Sequence, residues 1–212
     1  MSRLGAYSLL TLVVVGSCAA EYLGVRVVDS LPARRQKCLA AVSLVVCGWA
    51  LAAFRNEVVV TDCSVLLAAL IAGTLLSRQI GSVGALATML IVAAIADLIS
   101  SYAGPSRWLV DWAQHAHGVT ALQFLAVSLR MRQKLVPVIG VADLMFFTAC
   151  VSVMRRLGWP ELWTLIVPLG GLVSGLYTGL FVGFTPALPF LATAVLLYVC
   201  VSRLSRRTPS HG

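Results

Sequence analysis

The sequence predicts an all-α fold, a polytopic transmembrane helical bundle of about seven helices with one interfacial amphipathic helix, and three observations carry that expectation. The 212 residues are 59% hydrophobic and only 11% charged. Mean hydropathy is +0.93, more than a soluble domain with a polar surface sustains. The charges gather in short clusters between apolar runs that approach the roughly 20 residues a bilayer core of about 30 Å demands of a helix.

In chain order, the expected membrane helices are Leu4 to Val28, Cys38 to Phe54, Thr61 to Leu76, Ile80 to Ser101, Leu135 to Met154, Leu162 to Phe184 and Ala187 to Val201. The second, third and seventh are short for a full span, so they extend into their loops, lie obliquely or thin the bilayer. Arg3, the following apolar stretch and Ser17-Cys18-Ala19 also fit a cleavable signal peptide. The apolar character continues past that point through Tyr22, Leu23, Val25, Val27 and Val28, which favours a retained helix.

The longest stretch without a span runs from Gly104 to Lys134. Trp108, Leu109, Trp112, Val119, Leu122 and Leu125 recur there at helical spacing, interrupted by Arg107, Asp111, Gln114, His115 and His117, which predicts an amphipathic helix along the interface. Gly171, Gly175, Gly179 and Gly183 are spaced four apart and line one face of the sixth run, where another backbone can come close. Six cysteines lie in or beside apolar runs with no metal-like spacing and read as small packing residues. With no internal repeat or linker, residues 1–212 read as a single transmembrane domain.

The net charge of +8 resides mostly in arginines and lysines that flank apolar runs, among them Arg34, Arg35, Lys37, Arg130, Arg155, Arg156 and Arg203. Such flanks set topology and meet anionic lipid, so the expected partner is the bilayer and not nucleic acid.

Most acidic residues lie near run ends or in loops (Glu21, Asp29, Glu57, Asp62, Asp111, Glu161), but Asp97 and Asp143 sit within apolar sequence. A carboxylate at a helix centre costs about 2.5–3.5 kcal/mol on insertion scales, and its presence points to function. If their two helices pack together, the carboxylates can share one proton, because adjacent negative charges repel strongly in a low dielectric. Such a pair can activate water for peptide hydrolysis. A proton or cation path, or a structural hydrogen-bonded pair, explains the two aspartates equally well. Thr185-Pro186-Ala187-Leu188-Pro189 adds a third landmark, since two prolines leave main-chain groups free at membrane depth, tolerable only against protein or a wet cavity. A plain helix start is the simpler account of the prolines.

Asp97, then Gly140-Val141-Ala142-Asp143, then Pro186-Ala187-Leu188-Pro189 together resemble the presenilin and signal peptide peptidase family of intramembrane aspartyl proteases. The stretch from Asp97 through Gly104-Pro105-Ser106-Arg107-Trp108 to Gln114 is most similar to presenilin. The likeness spans about residues 80–202, which it implies are a presenilin-like catalytic core. It implies that Asp97 and Asp143 are catalytic and that Gly140, Val141, Ala142, Pro186, Ala187 and Leu188 shape the substrate cleft. It further implies transmembrane helices of other proteins as substrates and no cofactor beyond water. Ala142 stands where the family has glycine, and Ala96 where it has tyrosine; the chain also has fewer helices and a shorter connection between the aspartates.

Asp111, His115 and His117 do not suggest a metal site, because an i, i+2 pair of imidazoles points to different helix faces and the family uses no metal. The expected function is an intramembrane aspartyl endopeptidase. The alternatives are a catalytically silent protein that binds membrane helices, motivated by Ala142, and a small proton-coupled transporter using the aspartates as a relay.

Overall fold

Why one apolar run becomes a strand while its neighbours become helices is the main lesson of the fold. The computed structural model describes residues 3–32, 35–36, 41–43, 45–46, 58–104, 126–131, 134–182 and 185–205. Its helices are α1 (Arg3–Ser30), α2 (Val58–Arg78), α3 (Val83–Ala103), α4 (Val141–Arg156), α5 (Glu161–Val182) and α6 (Leu188–Ser205). Two strands, β1 (Ala126–Met131) and β2 (Lys134–Gly140), form an antiparallel ribbon between α3 and α4. The chain is thus mostly helical, as the sequence predicts.

Among the described residues, four helices are long and apolar enough to cross a membrane: Ser8–Ser30, Val59–Arg78, Val83–Ala103 and Glu161–Gly179. A fifth, Leu188–Arg203, is apolar but shorter. Large apolar side chains on their outer faces, such as Leu12, Val59, Val92, Ile99, Phe181 and Val201, are exposed, which suits a hydrocarbon surround. Of the expected helix Cys38 to Phe54, only residues 41–43 and 45–46 are described, and they are helical. Residues 105–125, which carry the expected interfacial helix, lie outside the described residues.

The run Leu135 to Met154 needs a correction. It is not one helix: Leu135–Gly140 belongs to β2, and the helix starts at Val141. Pro137 together with its β-branched neighbours is the physical reason: proline inside a helix removes a hydrogen bond and clashes with the preceding turn, a cost that α5 absorbs at Pro168, whereas a ribbon edge or bulge accepts it. The pairing steps from Val127 opposite Ile139 to Ser128 opposite Pro137, so the irregularity falls beside the proline. The flanking Val136, Val138 and Ile139 are β-branched and favour the extended chain.

The remaining 16-residue α4 forms the centre of the molecule, with Leu144 and every residue from Phe147 to Met154 buried. A helix apolar all round belongs in a core. It packs against α1, α2, α5 and α6, most extensively α2. The α2 crossing is tight: a methyl on Gly73 would lie 2.5 Å from the Met145 carbonyl oxygen and 2.6 Å from Thr148 Cβ. α5 and α6 form a second close pair, and α3 packs on α6.

Candidate functional site

Asp97 lies in the last third of α3, half-buried, on a helix whose surroundings are largely open. Asp143 occupies the third position of α4 and is also half-buried. The strand-to-helix change at Gly140 therefore places Asp143 in a first helical turn and not at a helix centre. There its Oδ2 accepts the Gly140 N–H at 3.2 Å, a carboxylate capping a helix start where the dipole favours negative charge.

The two aspartate helices share no extended interface among the described residues; α6 joins them, packing along α3 and touching α4. The joint is the start of α6. Pro186 is buried, Pro186 and Ala187 are irregular, and the helix begins at Leu188. The Leu188 N–H donates to Asp97 Oδ2 at 3.2 Å, and Ser101, one turn along α3, bonds the same carboxylate. Thus Asp97 meets the Pro186-Ala187-Leu188 segment at the start of α6, and Gly140 meets Asp143 at the start of α4, which α6 touches, while Val141 is half-buried and Ala142 is exposed.

The glycine face of α5 lets this segment sit where it does. A methyl on Gly171 would come within 2.6 Å of Leu191 Cα and 2.9 Å of the Phe190 oxygen, and one on Gly175 within 3.2 Å of Ala187 Cα. Gly179 faces Thr185 more loosely, at 3.8 Å. The stripe predicted for close backbone approach has its partner in the first turn of α6. The Ala142 side chain, next to Asp143, is exposed among the described residues.

One residue escaped the sequence reading. Glu21, grouped with acids near run ends, lies well inside α1, only 2% exposed, and accepts a 2.6 Å hydrogen bond from Thr148 of α4. Cys18, one turn before it, is fully buried in the same layer. The usable signal was distance from the run end: Glu21 has apolar residues on both sides through Val28. Thr148 follows Asp143 by five residues, so a third carboxylate lies about 7 Å along the α4 axis from the second.

His115 and His117, with Asp111, lie outside the described residues. No protein-family model, curated protein or solved structure matches the chain.

Proposed function

We propose that the chain is a multi-pass membrane endopeptidase that hydrolyses transmembrane helices with Asp97, Asp143 and one water. The observation that carries the proposal is that both aspartates are held by main-chain N–H groups at breaks in regular structure, Asp143 by Gly140 and Asp97 by Leu188. Such bonds fix carboxylate orientation without neutralising it, and leave carboxylate lone pairs for water and substrate.

In the proposed reaction the ionised aspartate takes a proton from water as its oxygen attacks the scissile carbonyl. The protonated one donates to the carbonyl oxygen, and the amine leaves with a proton returned by the pair. A helical substrate has its amides internally bonded, so its carbonyl is reachable only after local unwinding. The ribbon that runs into Asp143 offers edge main-chain groups to such an unwound segment, and the exposed flank at Ala142 gives it room.

A second reading rests on Glu21: with Asp97 and Asp143 it makes three intramembrane carboxylates, the composition of a proton relay. One comparison separates the two. Wild type, Asp97→Ala, Asp143→Ala and Glu21→Gln are purified in detergent and incubated with a helical membrane substrate, and the same proteins are reconstituted in liposomes with a pH dye. The protease reading expects cleavage by wild type and at least a roughly hundredfold loss in either variant, the scale of a removed general acid or base. No cleavage by wild type, or cleavage surviving either substitution, overturns it. Proton flux abolished by Glu21→Gln supports the relay.

A further inference from the structure

Away from the aspartates, a polar cavity of about 410 Å³ opens where the ends of α1, α2 and α4 meet the start of α5. Arg155 and Arg156, in the last turn of α4, lie roughly 18 Å along the helix axis from Asp143, so this is a different place in the molecule. The end of α4 is sharply built. Gly158 takes φ of +75°, its N–H bonds the Arg155 oxygen at 3.0 Å, and the Trp159 N–H bonds the Met154 oxygen at 3.2 Å. That double closure needs a left-handed glycine and fixes both arginines and Trp159 around the cavity.

The charges at this end do not balance internally. Arg78, Arg155 and Arg156 line the cavity with Asp29 and Glu161, and Arg26 joins the cluster through Glu161. Among the described residues, three guanidinium groups and two carboxylates line it, and Arg26 adds a fourth cation outside the lining. Glu161 is split between Arg26 at 3.9 Å and Arg155 Nη2 at 3.6 Å, both long. Arg156 donates to main chain, through Nε to the Ser152 oxygen and through Nη2 to the Ser77 oxygen. Asp29 accepts only a long 3.4 Å bond from Ser152. Arg155 Nη1 is buried with no hydrogen-bond partner, alone in that condition among the described residues' side-chain nitrogen and oxygen atoms. The same guanidinium lies 6.0 Å from the centroid of the Tyr22 ring, which holds its buried edge in place beside the cavity.

We infer that this cavity binds a phosphate group, presented by a membrane-lipid headgroup or taken up as free phosphate. Arg78 is exposed where it lines the cavity and Arg155 is held there by a single long 3.6 Å bridge, so both guanidinium groups can turn donors to a phosphate oxygen, and a planar guanidinium matches phosphate better than an ammonium does. The excess positive charge matches a phosphodiester or monoester. The setting favours the lipid source: the cavity sits at the ends of membrane-length helices and is lined by Trp159, which meets Tyr198 edge-on while Trp163 stacks on the same ring, an aromatic group suited to the interface.

The test uses the full chain in a phosphate-free maltoside detergent. Native mass spectra are recorded with phosphatidylglycerol, with diacylglycerol of the same acyl chains, and with phosphatidylglycerol plus inorganic phosphate. Phosphatidylglycerol should be retained at least about tenfold better than diacylglycerol, the factor that one charge-assisted hydrogen bond supplies. Arg155→Gln should remove that preference. Arg78→Gln, at an exposed residue that lines the cavity without supporting the core, should weaken it and keeps the inference testable if Arg155→Gln does not fold. Displacement of the lipid by millimolar phosphate identifies free phosphate as a competent occupant, and persistence of the lipid adduct identifies the headgroup. Equal retention of both lipids with no phosphate-dependent shift in melting temperature overturns the inference, as does a preference unchanged in both variants. None of these readouts depends on proteolysis.

Discussion

Replacing Gly171 by alanine tests whether close contact between α5 and the start of α6 positions the candidate site. The new Cβ would lie 2.6 Å from Leu191 Cα and 2.9 Å from the Phe190 oxygen, both backbone atoms that cannot rotate away. Carbon contacts relax at about 3.5–4.0 Å, so α6 must retreat by roughly 1 Å. Overpacking of this kind costs about 1–3 kcal/mol, set against a gain of about 0.8–1 kcal/mol in helix propensity. Gly170, the preceding residue on α5, has nothing within 4 Å of the same added methyl. Gly170→Ala therefore keeps the gain without the clash, and the difference between the two variants isolates the packing cost. At about 2–4 °C per kcal/mol for a chain of this length, Gly171→Ala should melt about 2–12 °C below Gly170→Ala. Melting is followed by tryptophan fluorescence in one detergent at one scan rate. Because the retreating segment carries the Leu188 N–H that bonds Asp97, substrate cleavage should fall in Gly171→Ala and hold in Gly170→Ala. A Gly171→Ala protein that melts with or above Gly170→Ala refutes the packing argument.

Thr148→Val keeps the side-chain shape but strips the donor from buried Glu21, costing about 1–3 kcal/mol, and adding Glu21→Leu should recover most of that loss; additive losses in a denaturant-based double-mutant cycle contradict the coupling. Leu188→Pro removes the N–H to Asp97 at a helix start that accepts proline, and should lower kcat by about 10- to 100-fold, where Leu188→Ala, which keeps the N–H, should lower it less. Equal kcat in the two variants argues against the N–H as the cause. Ala142→Gly should raise kcat/KM for a helical substrate at a stability cost of about 0.5–1 kcal/mol, since the side chain is exposed next to Asp143; an unchanged or lower kcat/KM removes crowding by Ala142 as an explanation for reduced activity.

Helices were legible in the sequence wherever an apolar run was long and uninterrupted. α1 spans Arg3–Ser30 against an expected Leu4 to Val28, and α5 spans Glu161–Val182 against Leu162 to Phe184. α2, expected to be short, reaches 21 residues because the apolar Val58–Val60, which the expected run omitted, extend its start and the polar Ser77–Arg78 extend its end. The glycine stripe was legible because spacing of four has only one helical meaning; its partner was not, because nothing in a single run says which other backbone will approach. Leu135–Gly140 was misread for a related reason. Apolar character is the same for a buried strand and a membrane helix, and only Pro137 and the β-branched neighbours separate them. Glu21 was hidden because a carboxylate's burial depends on which helix covers it, here α4 through Thr148.

The strand-to-helix change also alters what an aspartate at position 143 means. At the centre of a helix it would be a bare cost of insertion, with its lone pairs facing hydrocarbon or another side chain. In the first turn of α4 it accepts the Gly140 N–H, a group the helix start would otherwise leave without a partner. Asp97 does the same for Leu188 at the start of α6, across helices. Each carboxylate thus satisfies a main-chain donor left open where regular structure begins. The breaks and the acids account for each other: without the irregular Pro186-Ala187 and the ribbon ending at Gly140, the carboxylates lose their donors, and without the carboxylates those N–H groups lose their acceptors. Structural satisfaction therefore explains why both aspartates are tolerated, Asp143 accepting from Gly140 and Asp97 from Leu188 and Ser101, and it does not exhaust the lone pairs of either. Chemistry, if the pair performs it, belongs to the lone pairs that remain, and that is why main-chain substitutions such as Leu188→Pro probe the site more sharply than removal of either acid.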